Sequence, residues 1–511
     1  MDISGRRISV THRVLPAATA VAILAGLSGC GGGRQAITAS QAAIDDTAKP
    51  GAESYEDGDL DHLRIFLSES EIESYPSLSK DVRREMFRTI WASLDPTPTT
   101  DRNERKEEHY RRLADARRTF PRRGSPAWDK RGELLIRYGS PLAREIFPAT
   151  IEEGSVIPPR EVWTYVWPKM AFHVADVLLN GDFQDAFVWM PSNRPGIGHG
   201  GPVDARVSIS REVREPWSVA QAEKFRQERL FGQGFHALRE ETQAYLHDFG
   251  GHRLDYVFDV MNFAAPAASK TMVEIGLLFR AADLAFAGKT AELDVEVVAK
   301  TMDYREVSRA SHTVRHSRPS SSFHGLMADE ISLELPPGDY RLALQVRDAM
   351  SGNIGIFTTQ SKVREFTGDR LQLSDVQLAS SVEGGKGGQR FSKGDVLVVP
   401  HPGGVYPQGS SVGLYFEVYG LTVPAEGGAS FTITFTVTSK EAKADGRPSI
   451  SISNDGTSRD RNVQKYLSFN TSNMEPGLYE VEVSVEDHVA RSSTKQSALL
   501  RVDPAPEPPK P

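Results

Sequence analysis

The stretch PPGDYRLALQVRD, residues 336–348, has a near copy in EPGLYEVEVSVED, residues 475–487. Pro337, Gly338 and Tyr340 recur as Pro476, Gly477 and Tyr479, 139 residues further on. Leu342, Leu344 and Val346 match Val481, Val483 and Val485, and Asp348 matches Asp487. Apolar residues at every second position predict strands with one wet face. The same offset pairs TMVEIGLLF (271–279) with SSVGLYFEV (410–418), and DYVFDVM (255–261) with GDVLVVP (394–400). One offset serving three strands predicts the duplication of a whole β domain.

A Pro-Gly turn, a tyrosine and an alternating strand resemble the tyrosine corner of immunoglobulin-like sandwiches. There a Tyr hydroxyl ties a crossover to the sheet. Two such sandwiches are expected, over 250–366 and 393–503, joined by a connector at 367–392. The fold class is therefore multidomain α+β: a helical and β domain at 61–214, then two β-sandwiches.

In LSKDVRREMFRTIWASLDP, Val82, Met86, Ile90 and Leu94 recur every four residues and predict one apolar helical stripe, closed by Pro96. A second helix is expected from an Asp101 cap, with Glu104 three residues on, through RNERKEEHYRRLADARRTF. Its many charges predict a solvated face. ELLIRYG (133–139), EVWTYVW (161–167) and DAFVWMP (185–191) read as strands. Residues 215–249 read as helix, glycine break, helix, connecting this domain to the sandwiches.

Residues 62–200 resemble the GWxTD domain, a family of exported bacterial proteins. The resemblance rests on Asp95-Pro96-Thr97-Pro98, the Asn103-Glu104 helix start, Trp128, Arg131-Gly132, and Tyr138-Gly139-Ser140-Pro141. EVWTYVW is similar to the family's Trp-x-Tyr strand. The namesake signature departs from type: Ala127 replaces glycine, and Asp129-Lys130 stands where Thr-Asp is expected. The resemblance implies an exported protein and no particular activity.

The N-terminal residues carry Arg6, Arg7 and Arg13, an uncharged run VLPAATAVAILAG (14–26), and Leu27-Ser28-Gly29-Cys30. A basic stretch, a short apolar stretch and small residues form an export signal. The last four residues resemble the lipobox of bacterial lipoproteins, in which the cysteine sulfur carries a diacylglycerol and the chain is cut before it. The expected signal is 1–29, with lipidation at Cys30, a flexible tether over 30–60, and a proline-rich tail at 504–511. Cys30 is the single cysteine, so no internal disulfide is possible. The expected location is the bacterial cell envelope, lipid-anchored, with the outer membrane favoured because Gly31 rather than Asp follows the cysteine. A net charge of −8 with mixed signs argues against a nucleic-acid partner.

Catalytic motifs are thin. Gly409-Ser410-Ser411-Val412-Gly413 fits G-x-S-x-G, but an alternating strand follows where a nucleophile elbow needs a helix. Gly198-His199-Gly200-Gly201 reads as a glycine loop. His312 and His316 lie in what reads as a polar loop, without the Glu of H-E-x-x-H. EGGKGGQR (383–390) lacks P-loop spacing. No cofactor and no metal is expected. The leading expectation is a non-enzymatic envelope protein that binds or scaffolds an envelope protein or a glycan through its sandwiches. The alternative is an envelope hydrolase with a site in the first domain, around His173, Asp176 and Asp182 or near Trp128.

Overall fold

The computed structural model describes residues 59–152, 155–165, 170–185, 248–267, 269–320, 323, 325–385, 390–440 and 448–505. Cys30, the Gly198–Gly201 loop, and nearly all of the tether, the 215–249 connector and the proline-rich tail lie outside them. Residues Tyr55–Pro511 form one compact unit. Among the described residues, no helix is long and apolar enough to cross a membrane.

Five helices open the described chain: α1 (Asp59–Leu63), α2 (Glu69–Ser74), α3 (Lys80–Ser93), α4 (Glu104–Thr119) and α5 (Lys130–Tyr138). In α3 the apolar face is rotated from the expected stripe. Phe87 and Trp91 are buried while Val82 is 48 % exposed, because the aromatic rings pack with Leu63, Leu67 and Tyr75. The cap of α4 is Asn103, not Asp101. Its Oδ1 accepts from the Lys106 N–H at 2.8 Å while its amide donates to the Trp91 carbonyl at 2.6 Å. An aspartate accepts but cannot donate, so only the amide can also bind α3. The charged run of α4 is not wholly solvated either, since Arg105, His109 and Arg112 are buried.

ELLIRYG is the body of helix α5, not a strand. Asp129 caps it, accepting from the N–H groups of Arg131 and Gly132 at 2.9 and 3.4 Å. Strands β1 (Ala143–Phe147), β4 (Arg160–Tyr165), β5 (Met170–Ala175) and β6 (Gln184–Asp185) form an antiparallel sheet in the order β1-β4-β5-β6. The hairpin β2 (Thr150–Glu152) and β3 (Ser155–Ile157) links β1 to β4. The expected strand 161–167 is β4. The one at 185–191 is seen only in its first residue, and the rest lies outside the described residues.

From residue 248 on, the described residues form strands and loops, with one short 3-10 turn. Strands β7 (Val257–Ala264), β8 (Thr271–Arg280), β9 (Thr290–Thr301), β10 (Glu306–Ser317), β11 (Leu326–Leu335), β12 (Gly338–Asp348) and β13 (Ile354–Val363) make two sheets, ordered β11-β8-β7 and β10-β9-β12-β13. Ile275, Leu277 and Phe279 of β8 meet Val295, Val297, Leu342 and Leu344 in the core between them. His312 and His316 therefore lie on strand β10, not in a loop.

The second sandwich comprises β14 (Gln372–Leu373), β15 (Gln377–Gly384), β16 (Ser392–Lys393), β17 (Val396–Pro400), β18 (Val405–Pro407), β19 (Ser411–Tyr419), β20 (Ala429–Ser439), β21 (Pro448–Ser458), β22 (Val463–Asn470), β23 (Gly477–Asp487) and β24 (Ser492–Asp503). One sheet runs β14-β19-β15-β17-β16 with β22 on β19, and the other runs β18-β24-β23-β20-β21. Ser411 opens strand β19, so the G-x-S-x-G match has no helix behind it.

The duplication is wider than three strands in one respect and narrower in another. Strands β9 and β20 begin at Thr290 and Ala429, again 139 apart, and each sits between the partners expected of it: β10 and β12, or β21 and β23. The pairing of 255–261 with 394–400 fails, however. Strand β7 bonds directly to β8, whereas β17 bonds to β15 and reaches β19 only through it. The true counterparts of β7 are β14 and β15, which lie along β19. The stretch read as a connector, 367–392, thus supplies two strands and the first residue of a third.

The outer faces of the β7–β8 and β15–β19 sheets pack on each other. Met261, Phe263 and Met272 meet Ala379, Val382, Val396, Val398 and Tyr415. Gly276 fits this seam because a Cβ there would lie 3.1 Å from the Pro400 ring. Two sandwich cores and the seam between them give four stacked sheets.

Candidate functional site

The Asp95-Pro96-Thr97-Pro98 element lies between α3 and α4, held by both. The Asp95 carboxylate accepts from the Thr97 N–H at 3.1 Å, and the Thr97 hydroxyl donates to Glu104 at 2.6 Å. One residue on, the Thr99 hydroxyl donates to Gln345 of β12 at 2.8 Å, and Arg309 of β10 donates to the Thr99 carbonyl. The family-like loop is therefore bolted to the outer face of the first sandwich.

A cleft of about 300 Å3 opens along this junction. It is lined by Ser93, Asp95 and Pro98 on one side and by Lys300, Tyr304 and Arg341 on the other. Arg341 lies over the Tyr304 ring, 4.4 Å from its centroid. Burial pushes the Asp95 carboxyl up to about 6, against the pull of the Thr97 N–H and Lys300. Burial likewise lowers Lys300, with Asp95 and Glu306 opposing. The cleft offers one acid, two cations and the polar side chains of Thr358, Thr359 and Gln360. Such a set binds by hydrogen bonds and mixed charge.

Of the other motif residues, Trp128 and Gly132 touch each other and Arg131 enters a buried ionic cluster, while Tyr138, Gly139 and Pro141 take separate places. Trp128 is 1 % exposed, and a Cβ on Gly132 would lie 2.6 Å from the Trp128 Cβ. Arg131 donates to Asp129 at 2.6 Å and to Glu161 at 3.0 Å, and its guanidinium lies 3.6 Å from the Phe183 ring centroid. Arg144 grips Glu161 through two bonds of 2.8 and 2.9 Å, and the Trp163 indole donates to the same carboxylate at 2.7 Å. Burial alone would raise Glu161, but Arg144, Trp163 and Arg131 outweigh it and hold its carboxyl below the ordinary range. Gly139 adopts φ +77°, and a Cβ there would crowd the Arg112 guanidinium at 2.9 Å. Tyr138 stacks on Phe172, and Pro141 precedes β1.

Sequence reasoning missed Glu161, Arg144 and Asp129. A signal for Glu161 was present: it alternates with Trp163 and Tyr165, and period two puts all three on one face of β4.

Of the residues named for a hydrolase, the two carboxylates hold loops in place. Asp176 accepts from the N–H groups of Asn180 and Gly181 at 3.0 and 2.8 Å and closes a turn. Asp182 pairs with Arg122 at 3.2 Å. His173 is buried within β5, opposite Val162 of β4. Among the described residues, no three His, Cys, Asp or Glu side chains gather as metal ligands.

The repeat residues act in parallel. The Tyr340 hydroxyl donates to the Pro336 carbonyl at 3.0 Å, and the Tyr479 hydroxyl to the Glu475 carbonyl at 2.8 Å. Gly338 and Gly477 begin β12 and β23, and Pro337 and Pro476 occupy the preceding turns. Among known proteins, no family model matches this chain and no curated protein matches it.

Proposed function

We propose that this is a lipid-anchored envelope protein of the GWxTD type, whose two immunoglobulin-like sandwiches serve a binding or scaffolding role rather than a catalytic one. Cys30 would carry the lipid, and the cleft between the Asp95–Pro98 loop and β9–β12 would receive the partner. The observation that carries the reading is the make-up of that cleft. Two domains contribute its walls, and its groups are donors and acceptors of both signs. Its occupant would be an extended polar chain, either a peptide of an envelope protein or a glycan. The order of strands in the first sandwich and the hydroxyl-to-carbonyl bond of Tyr340 and Tyr479 support the immunoglobulin-like assignment.

The test is photo-cross-linking in the native envelope. A benzophenone residue at Thr358, on the cleft rim, is expected to give a discrete adduct identifiable by mass. The same probe at Ser493, on β24, is expected to give none. Equal, diffuse labelling at both positions would remove the cleft from the account. Labelled palmitate that never joins the chain would remove the anchor.

A further inference from the structure

Five large aliphatic side chains are exposed at one end of the small sheet of the first domain. They are Ile146 of β1 (63 % exposed), Ile151 and Val156 of the β2–β3 hairpin (76 and 55 %), and Leu178 and Leu179 (74 and 56 %). The register places them together. Strand β1 ends at Phe147 opposite Arg160, the first residue of β4, and Arg160 lies opposite Ala175, the last residue of β5. The hairpin and the 176–181 turn both leave from that end, and the Asp176 N–H bonds the Pro159 carbonyl at 3.0 Å, joining them. Leu179 holds a positive φ of 54°. A left-handed backbone is uncommon for a leucine, and the Asp176 carboxylate fixes the turn by accepting from the N–H groups of Asn180 and Gly181 just beyond it. Apolar residues scattered singly need no explanation, but four on two adjoining tips, with a fifth on the strand beside them, do.

The start of the described chain lies at the same end. Asp61 accepts from the Ser125 hydroxyl at 2.7 Å, and Arg122 of that same loop pairs with Asp182 at 3.2 Å, three residues beyond Leu179. The expected lipidated cysteine lies 29 residues before Asp59.

We infer that the β2–β3 hairpin and the Leu178–Leu179 turn dip into the surface of the lipid bilayer, fixing the first domain against the membrane that Cys30 anchors. The occupant is a lipid surface because the apolar tips and the first described residues, the side from which the expected anchor is reached, share one end of the domain. The Arg160 guanidinium, 4.8 Å from the Phe147 ring centroid, sits at the same end, where it can meet lipid phosphate while the aliphatic tips enter the acyl boundary. This inference rests on the anchored reading for its geometry, but not for its chemistry.

The experiment uses the full chain, lipidated, reconstituted in vesicles of phosphatidylethanolamine and phosphatidylglycerol. Single cysteines are introduced by Ile151→Cys, Leu178→Cys and, as a control on the second sandwich, Ser493→Cys. Each carries an environment-sensitive dye. Dyes at 151 and 178 are expected to shift to the blue on reconstitution and to be quenched by lipids with doxyl groups near the headgroup, and the dye at 493 is not. If mass analysis shows the acyl chain on Cys30 and the dyes at 151 and 178 stay as wet as that at 493, the insertion is overturned and the anchor stands. If both dyes are already shielded without vesicles, the tips are covered by protein, either residues 186–247 or a second copy, and the insertion is again overturned. If Cys30 carries no lipid, the anchor falls alone, and insertion is judged by co-sedimentation of the unlipidated chain. There the combined Ile151→Asp, Leu178→Asp and Leu179→Asp variant is expected to lose at least about tenfold in vesicle affinity. Unchanged sedimentation would overturn it.

Discussion

Asp348 and Asp487 are both fully buried, 139 residues apart, and each carboxylate accepts three backbone N–H bonds in the same arrangement. Asp348 takes those of Met350, Ser351 and Ala285 at 2.9, 3.2 and 2.7 Å. Asp487 takes those of Val489, Ala490 and Thr422 at 2.8, 3.0 and 2.8 Å. In each copy one side chain closes the turn after the central strand and ties it to the loop before the neighbouring one. Burial alone would raise the Asp487 carboxyl, but the N–H groups of Ala490, Thr422 and Val489 outweigh it and hold it below the ordinary range. A lowered carboxyl stabilises the fold above its unfolded value and loses that contribution as pH falls through the folded value. Asp487→Asn is therefore expected to cost about 1–3 kcal/mol at neutral pH, with the deficit shrinking in acid. Urea unfolding at neutral and acid pH checks it, and a deficit that does not change with pH counts against the account.

The tyrosine hydroxyls of the two copies contribute separately. Tyr340→Phe and Tyr479→Phe are each expected to cost about 1 kcal/mol. Because they lie in different sandwiches, the double variant is expected to cost the sum of the two. Denaturation midpoints of the three variants measure this, and strong non-additivity would show that the copies are coupled through more than their seam.

Glu330 lies at the seam between sandwiches, where its Oε2 is buried without a hydrogen-bond partner. Burial pushes its carboxyl up to about 7, Glu274 and Asp329 adding to the rise and Lys393 and Gln377 opposing it. Lys393 pairs with Glu274 and lies 3.9 Å from the Phe263 ring centroid. A raised carboxyl makes the folded state the tighter proton binder, so stability falls as pH climbs from the unfolded value to about 7 and is level beyond it. Glu330→Gln is expected to flatten that decline, gaining on the order of 2 kcal/mol at alkaline pH. Thermal unfolding on either side of neutrality measures the slope, and a slope retained in the variant would assign it to another group.

Gly132→Ala is expected to cost about 1–3 kcal/mol. The added methyl would sit 2.6 Å from the Trp128 Cβ, so one of the two must move. A shifted Trp128 emission with a lowered melting temperature is the expected signature.

Glu161→Ala is expected to be the most damaging single change in the first domain, about 3–5 kcal/mol, because it strands two arginines beside a buried indole. Near-ultraviolet circular dichroism should show loss of the Trp163 environment while the sandwiches, followed by far-ultraviolet unfolding, stay folded. An unperturbed aromatic spectrum would mean that the cluster is solvated rather than dry.

The β half of the chain was legible because its strands alternate strictly and the two copies share one offset. Legibility failed where inward positions are not apolar. Strand β10 points Ser308, His312 and His316 inward between Ala310 and Val314, so only two of its five inward positions are apolar and its alternation is faint to hydropathy. The short run of α5 is apolar on several sides, and its one clear sign was the Asp129 cap, masked by the unusual signature around it. The third repeat pairing failed because one offset can align two strands that occupy different places in their sheets. The candidate cleft was not legible at all beyond Asp95 and Pro98. Its other wall comes from Lys300, Tyr304 and Arg341, which sequence distance hides.

The outer sheet faces of the two repeats cover one another, so each repeat finds within its own chain the surface that a separate molecule would otherwise have to provide. Dilution cannot part them while the backbone between β13 and β14 is intact. A single proteolytic cut there would convert a unimolecular association into one governed by mass action, and the halves would then separate at low concentration.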